Sequence, residues 1–485
     1  MTLLHFCKRC SLFALMSTFT VMTTSELFQA AEKTLPFSLT LKQTTLLHAL
    51  SAYVLSHGER DIFILNGYAG TGKTTVIGAL VKGMKELNLN SVILAPTGRA
   101  AKVASSFAGK NAFTIHKRIF RGNSLDPSNQ QFFLASNPDK NTIFIVDEAS
   151  LISDSSNPNA SVLQQLFRHI YSAPGCGVIL VGDIAQLPPV GLLQSPAMIP
   201  QRLRQLGFNP IEFTLETPLR QAAESGILFN ATFIRKALFN DRPFNKFGLI
   251  KKNFPDVSII SSEFLSESLE DSWGEVGQEE TLIITRSNKR AAQYNSEIRN
   301  RILYAEGPLE RGERLVISKN DYYWSKINET SAFLANGETV EVNWVGRPEK
   351  VYGRWFVDVE LKLPESDVPF GAKIMLRSLM AEGPSIPKEE MEKFYNLVLL
   401  EYDGELSHKI KGALEDPYYN ALQVKYAYCV TCHKAQGGQW KHVYIDLGGV
   451  SVEENMTNDF YRWLYTAVTR ATDHVYFINP SLKVV

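Results

Sequence analysis

The stretch Gly67-Tyr-Ala-Gly-Thr-Gly-Lys73-Thr74 decides how this chain is read. It satisfies G-x-x-x-x-G-K-[ST] in full, follows the apolar run Ile62–Leu65 and opens an amphipathic segment, Lys73–Leu87. Strand, glycine loop and helix in that order make a phosphate cradle. Gly67, Gly70 and Gly72 let backbone N–H groups turn inward, and the helix N-terminus adds positive potential. Lys73 then reaches the β- and γ-phosphates and Thr74 offers its hydroxyl to Mg²⁺, with Thr75 beside it in the first turn. The expected ligands are ATP and Mg²⁺.

Two further strand ends extend the site. Ile143-Phe-Ile-Val-Asp147-Glu148 is a buried apolar strand that delivers two carboxylates at its carboxyl end, the edge where open α/β sheets bind ligands. Asp147 suits the Mg²⁺ shell, and Glu148 suits orienting or deprotonating the attacking water. Alone, such a strand end is an ordinary acidic terminus; with a complete phosphate loop about 70 residues upstream it indicates hydrolysis. Val181-Gly-Asp183-Ile-Ala-Gln186-Leu-Pro-Pro-Val190 ends a third strand in a loop fixed by two prolines. A glutamine there can donate to a γ-phosphate and accept from water, so Gln186 can report whether hydrolysis has occurred; taken alone, the segment reads rather as an ordinary strand-to-turn junction.

Around these segments, residues 36–230 alternate apolar runs (Ile62–Leu65, Val92–Ala95, Ile143–Val146, Val178–Val181) with helical patterns such as Ser161–Tyr171. That alternation predicts a parallel sheet covered on both faces. The pattern restarts at Val257–Ile260, Thr281–Thr285 and a helix over Ser287–Leu303. From Gly312 to Met375 it turns β-rich, with runs at Arg314–Ser318, Glu338–Val345 and Trp355–Leu363 and a break at Pro364–Phe370. After a mixed, charged segment (382–415), α/β character returns at Tyr426. The fold class is therefore α/β: a first nucleotide-binding domain over 36–230, and a second over 231–310 and 425–485. A small β-barrel-like insert, 311–424, interrupts the second.

With 485 residues the chain is long enough for about three domains, at roughly 150 residues each. Its 50 basic and 50 acidic side chains balance, which excludes a general basic coat for nucleic acid but leaves room for a local groove. Lys102, Lys117 and Arg118 make at most a local basic edge; of Phe113, Trp344, Trp355, Trp463 and Tyr465 most read as core, and none is assigned as a stacking platform. Five cysteines are too few for a disulfide framework, so the reducing cytoplasm is expected. Cys7/Cys10 and Cys429/Cys432 lie too far apart for a zinc ribbon, and no structural metal is expected. Lys8 and Arg9 before the run Ser11–Val21 imitate a signal peptide, but four Ser/Thr residues interrupt it. A true start at Met16 or Met22 is the preferred reading, and no membrane span is expected.

The string of segments resembles the superfamily 1 helicases, specifically the 5′-to-3′ subgroup (1B) typified by RecD and Dda, over about residues 37 to 480. Leu39-Thr-Leu-Lys-Gln43 is similar to the adenine-reading motif, which implies a base contact for Gln43. Ala95-Pro-Thr97-Gly-Arg-Ala-Ala and Thr114-Ile-His116 resemble strand-contacting motifs. Asp183 to Val190 resembles the sensor motif, and it is that likeness which favours the sensing role for Gln186. Leu215-Glu-Thr-Pro-Leu-Arg220-Gln resembles the element that sends an arginine to the γ-phosphate. Val430-Thr431-Cys-His433-Lys434-Ala-Gln436-Gly437 and Tyr465-Thr-Ala-Val-Thr469-Arg470-Ala471 resemble the two C-terminal motifs. The resemblance implies two RecA-like domains with ATP between them. Arg220 and Arg470 would meet the transferring phosphoryl group, and Thr97, His116, Thr431 and His433 would touch a single strand of DNA near duplex junctions. It departs at Gly437-Gly438-Gln439-Trp440, where the family commonly carries an acid, and at 121–141, which is polar and shows no strong hairpin pattern. An RNA or RNA–DNA helicase, a DNA-stimulated ATPase switch and an inactive scaffold are the rival readings. Intact Lys73, Asp147, Glu148 and Arg470 oppose the last.

Overall fold

The computed structural model describes residues 22–122, 132–155, 161–218, 225–239, 248–249, 251, 254–321, 323–328, 334, 336–363, 368–448, 457–480 and 483–484. Six parallel strands form the first sheet: β1 (Asp61–Gly67), β2 (Asn90–Ala95), β3 (Ala112–Thr114), β4 (Thr142–Val146), β5 (Gly177–Gly182) and β6 (Asn209–Leu215). They run in the order β3-β2-β4-β5-β1-β6. The central strands are continuous apolar runs because both faces are covered. Alternate residues go to opposite cores: Phe63 and Leu65 pack with Leu46, Leu50 and Leu80, whereas Ile62 and Ile64 pack with Leu166 and Phe167. Since β5 lies between β1 and β4, the end of β5 is held between the glycine loop and Asp147.

Helix Thr24–Glu32 precedes the expected first boundary at residue 36. It is closed by a Thr23/Glu26 capping box and buries Leu27, Phe28 and Ala31, with Ala31 close against Gly83 of helix Lys73–Glu86. The first layer therefore begins before residue 36. Residues 1–21, with the signal-like run and Cys7/Cys10, lie outside the described residues. A second difference concerns 121–141: Phe120–Gly122 pairs antiparallel with Phe132–Leu134 as a short hairpin. Its strands are three residues long, too short to show a period of two in the sequence.

The second parallel sheet starts with β7 (Val257–Ile260) and β8 (Thr281–Thr285). The chain then leaves it for an antiparallel sheet of β9 (Arg314–Ile317), β10 (Thr339–Val345), β11 (Glu349–Val351), β12 (Arg354–Lys362), β13 (Phe370–Met375) and β14 (Val424–Tyr426). This sheet is ordered β11-β12-β10-β9-β14 with β13 on the other edge of β12, half of a barrel rather than a closed one. The predicted break holds part of a strand, since Phe370 opens β13; Pro364 to Asp367 lie outside the described residues. Within the segment read as mixed and charged, helices Lys388–Leu400 and Leu406–Glu415 cover Phe356 and Met375.

Ala427 and Tyr428 alone separate β14 from β15 (Cys429–Thr431), which returns the chain to the parallel sheet. With β16 (Trp440–Asp446) and β17 (Ala471–Ile478) the order is β7-β17-β16-β8-β15. Cys429 packs into the core shared with the insert and Cys432 into the core on the opposite side; both are free thiols. The first domain contributes Ala185 and Leu187 to the latter core, beside Ile227, Trp463 and Leu464. Trp463 and Tyr465 are buried as expected, but Trp344 and Trp355 stand half exposed on the insert.

Candidate active site and strand groove

The glycine loop joins β1 to helix Lys73–Glu86. Gly70 (φ +72°) and Gly72 (φ +84°) are left-handed, a conformation that a side chain would oppose at both positions. Lys73 opens the helix, and its Nζ donates to the carbonyls of Gly67 and, at 3.2 Å, Tyr68, folding the ammonium back over the loop. Thr74 and Thr75 follow in the first turn. Gln43 is placed differently from the sequence expectation. Its Nε2 donates to Thr71 O at 3.1 Å and its Oε1 accepts from Thr40 N at 3.1 Å, so the side chain braces the loop. A base contact would require those bonds to exchange.

At the end of β4, Asp147 N donates to Leu94 O (2.9 Å) and Asp147 Oδ1 accepts from Glu148 N (2.9 Å). The second bond steadies Glu148 in a left-handed conformation (φ +51°, ψ +37°), a strained geometry for a non-glycine residue that turns the second carboxylate out of the strand direction. Desolvation raises the Asp147 pKa above the ordinary carboxylate range, and the neighbouring Glu148 charge adds to it; Lys73 opposes both. An anionic oxygen held at such cost near Lys73 fits a hard divalent cation. Asp147 and Thr74 are the residues that would hold Mg²⁺, whose charge would offset that of the phosphates.

From the end of β5, Asp183 Oδ1 accepts from Ala185 N (2.9 Å) and Ile184 N donates to Asn66 Oδ1 (3.2 Å), fixing the sensor loop to β1. The Gln186 carboxamide oxygen is buried without a hydrogen-bond partner. An orphaned acceptor there suits a water near the phosphates. Across the cleft, helix Asn458–Val468 grips the same loop. Arg462 donates to the carbonyls of Ile184 and Gln186, Leu187 N donates to Thr466 Oγ1 (2.8 Å), and Gln436 Nε2 donates to Leu187 O (2.6 Å). Arg470 is buried, and its guanidinium donates to Thr466 O (3.1 Å), Gly438 O (3.0 Å) and Thr469 Oγ1 (3.3 Å), all within its own domain. Arg220 lies outside the described residues.

A groove of about 770 Å³ runs between the first domain, the second domain and the insert. Thr97, Thr431 and His433, the residues expected to touch a strand, line it; His116 does not, sitting instead against Phe120 at the hairpin (ring centroids 5.5 Å apart). Its charge comes from residues that sequence reasoning passed over: Arg99, Arg286, Lys289, Arg314 and Lys434. Burial pulls Arg99 and Arg314 below the usual guanidinium range and pushes Lys434 down to about 8, with Lys425 adding to the last. The Lys434 Nζ is buried without a hydrogen-bond partner. Arg99 lies over the Trp440 ring (3.8 Å) and donates to Gln439 O (2.8 Å), so the departing Gly437–Trp440 stretch clasps the first domain. Of the surface cations considered from the sequence, Arg118 pairs with Asp139, and neither it nor Lys102 nor Lys117 lines the groove. Arg99 and Lys434 both stand inside motifs legible in the sequence; their lack of carboxylate partners was not.

A glycine loop and an acidic strand end on one parallel sheet, closed by a second parallel sheet that grips the sensor loop, define a P-loop NTPase with tandem RecA-like domains. The AAA domain family matches residues 44–205, and the UvrD-like helicase C-terminal domain matches 426–478. The ATP-dependent RecD2 DNA helicase of Deinococcus radiodurans is 32% identical over 31% of this chain and 20% of its own length. The ATP-dependent DNA helicase dda of Enterobacteria phage T4 is 26% identical over 57% of this chain and 62% of its own. This chain thus spans less than two thirds of either relative. A solved Pif1 helicase from Bacteroides, in complex with ADP-AlF3 and ssDNA, aligns over 92% of this chain and 94% of its own at 15% identity and a TM-score of 0.47. Both family matches fall on the parallel-sheet layers, 44–205 on the first and 426–478 on the second.

Proposed function

We propose that this chain is an ATP-dependent DNA helicase that moves 5′-to-3′ along single-stranded DNA and opens duplex junctions. The groove carries this reading: clustered cations, among them a Lys434 ammonium buried without a partner, adjoin threonines from both domains. Such a surface binds a polyanion through its phosphates and is indifferent to base identity. The RecD2 and Dda relatives bear the name of the same activity.

In this reading Lys73 and Thr74 hold the phosphates and Mg²⁺ with Asp147, and Glu148 takes the proton of the attacking water. Gln186 senses the outcome, and Arg220 and Arg470 approach the γ-phosphate on closure. For Arg470 that approach means leaving Gly438 O and Thr466 O, so closure and groove rearrangement occur together. Thr97, Thr431 and His433 grip the strand, with His116 next to the hairpin. The division into 36–230, 231–310 with 425–485, and the insert 311–424 belongs to the same proposal, as does a cytoplasmic setting. Among the described residues no helix is long and apolar enough to cross a membrane.

The test is ATPase rate with and without single-stranded DNA, then unwinding of duplexes carrying a 5′ or a 3′ tail. Strong stimulation with unwinding from the 5′ tail alone is expected. Stimulation by RNA alone would replace DNA with RNA, and stimulation without displacement would leave a DNA-dependent ATPase switch.

A further inference from the structure

We propose that the Tyr465 hydroxyl is a positioning group that ties the nucleotide loop and the sensor loop to the second domain, relaying nucleotide state to the strand groove. The inference rests on the motor reading above and deepens it. Tyr465 is 1% exposed and sits on helix Asn458–Val468. Its hydroxyl donates to Asp183 Oδ2 at 2.7 Å and accepts from Ala69 N at 2.8 Å. Three segments therefore converge on one phenol: the phosphate loop, the end of β5 and a helix of the other domain.

The chemistry of a phenol makes this junction exacting. It has one proton to give, and here the proton goes to a carboxylate while a lone pair takes a loop amide. In a site closed to water neither partner finds a replacement when the hydroxyl is removed. Asp183 holds its own loop through the other oxygen, on Ala185 N, so a shift of that carboxylate moves the segment bearing Gln186. Ala69 lies within the glycine loop, whose amides face the phosphates, so filling the loop acts directly on the 2.8 Å bond.

The far side of the helix continues the path. One residue on, Thr466 accepts from Leu187 N; its carbonyl holds Arg470, and Arg470 holds Gly438 O. Gly437 and Gly438 are packed against Thr97, Ala100 and Arg99, on the wall of the groove. Apart from the covalent step from Tyr465 to Thr466, every link is a hydrogen bond or a close packing contact, and the path crosses the domain boundary twice. Displacement at the phosphate loop thus has a contiguous route to the strand-contacting wall.

Tyr465→Phe removes the hydroxyl and keeps the ring. The readout is the ratio of ATPase rates with and without a thymidine oligonucleotide, alongside oligonucleotide affinity with and without a non-hydrolysable ATP analogue. The wild type is expected to show both a stimulation ratio and a nucleotide-dependent affinity. In Tyr465→Phe the stimulation ratio should fall roughly tenfold, the scale of one lost buried hydrogen bond. The two oligonucleotide affinities should converge, while the nucleotide-free affinity stays at the wild-type value. A role confined to packing would lower melting temperature, analogue binding and nucleotide-free strand affinity together, and that outcome overturns the relay. So does a stimulation ratio equal to the wild type's. If Tyr465→Phe does not fold, Thr466→Val removes the neighbouring tie to the sensor loop, the bond from Leu187 N, and should also reduce the ratio; an unchanged ratio there overturns the relay as well. A wild-type chain without strand stimulation would instead sink the motor reading itself.

Discussion

The nucleotide cleft and the strand groove lie on the same pair of domains but are finished in opposite ways. In the cleft, polar groups are partnered across the domain boundary: Arg462, Thr466, Gln436 and Tyr465 account for the sensor-loop and glycine-loop backbone one bond at a time. The exceptions are the Gln186 carboxamide oxygen, which has no partner, and Glu148, whose backbone is left-handed. In the groove the cations are concentrated, Arg99, Arg314 and Lys434 are drawn out of water, and the Lys434 ammonium is left without a hydrogen-bond partner. A cleft that must align a small ligand at one geometry benefits from preorganised, satisfied bonds. A groove that must hold and release a uniform polyanion benefits from unpaired charge, because each phosphate in turn completes the site.

The largest expected effect breaks the cleft at its chemistry. Glu148→Gln should lower ATP turnover by at least roughly a hundredfold, the usual worth of a positioned base, while ATP still binds. Steady-state turnover with a fluorescent-nucleotide titration checks this; a wild-type rate would remove Glu148 from the role of base.

The next sharpens the groove. An ammonium pushed down to about 8 loses its proton as pH rises through that value, whereas a bound phosphate favours the charged form. Affinity for single-stranded DNA should therefore be full near neutrality and fall several-fold, roughly up to tenfold, by one pH unit above that value. Lys434→Ala should weaken binding at neutral pH, flatten that profile, and reduce the salt dependence of log K by about one phosphate contact. An unchanged profile in the variant would show that another group titrates.

The smallest separates function from stability at Asp147. A carboxyl whose folded pKa lies above its unfolded value stabilises the fold relative to neutral pH only while protonated, and that contribution is lost as pH rises through the folded value. At neutral pH the ionised Asp147 thus costs stability in the nucleotide-free protein. Asp147→Asn should raise the melting temperature by a few degrees, at roughly 2–4 °C per kcal/mol for domains of this size, while removing Mg²⁺-dependent hydrolysis. The two proteins should converge in melting temperature as the pH is lowered toward the unfolded carboxyl value. A variant that melts below the wild type at neutral pH would mean the carboxylate is already compensated.

The sequence by itself determined the parallel sheets, the glycine loop, the acidic strand end and the sensor loop. Each is local: an apolar run of four or five residues, glycines at fixed spacing, an acid at a strand terminus. It also marked the antiparallel insert through β-rich runs and turn chemistry. Tertiary structure decided what depends on partners distant in the chain. Gln43 looked like a base reader, and its carboxamide also braces the glycine loop at Thr71 O, 28 residues away in the chain. Tyr465 looked like core and is core, but its hydroxyl end meets Asp183, 282 residues away in the chain. Arg99 and Lys434 looked like ordinary charges inside motifs. Only tertiary packing draws them out of water, and a cation's worth to a passing phosphate is set by that surrounding dielectric, which no spacing of residues records.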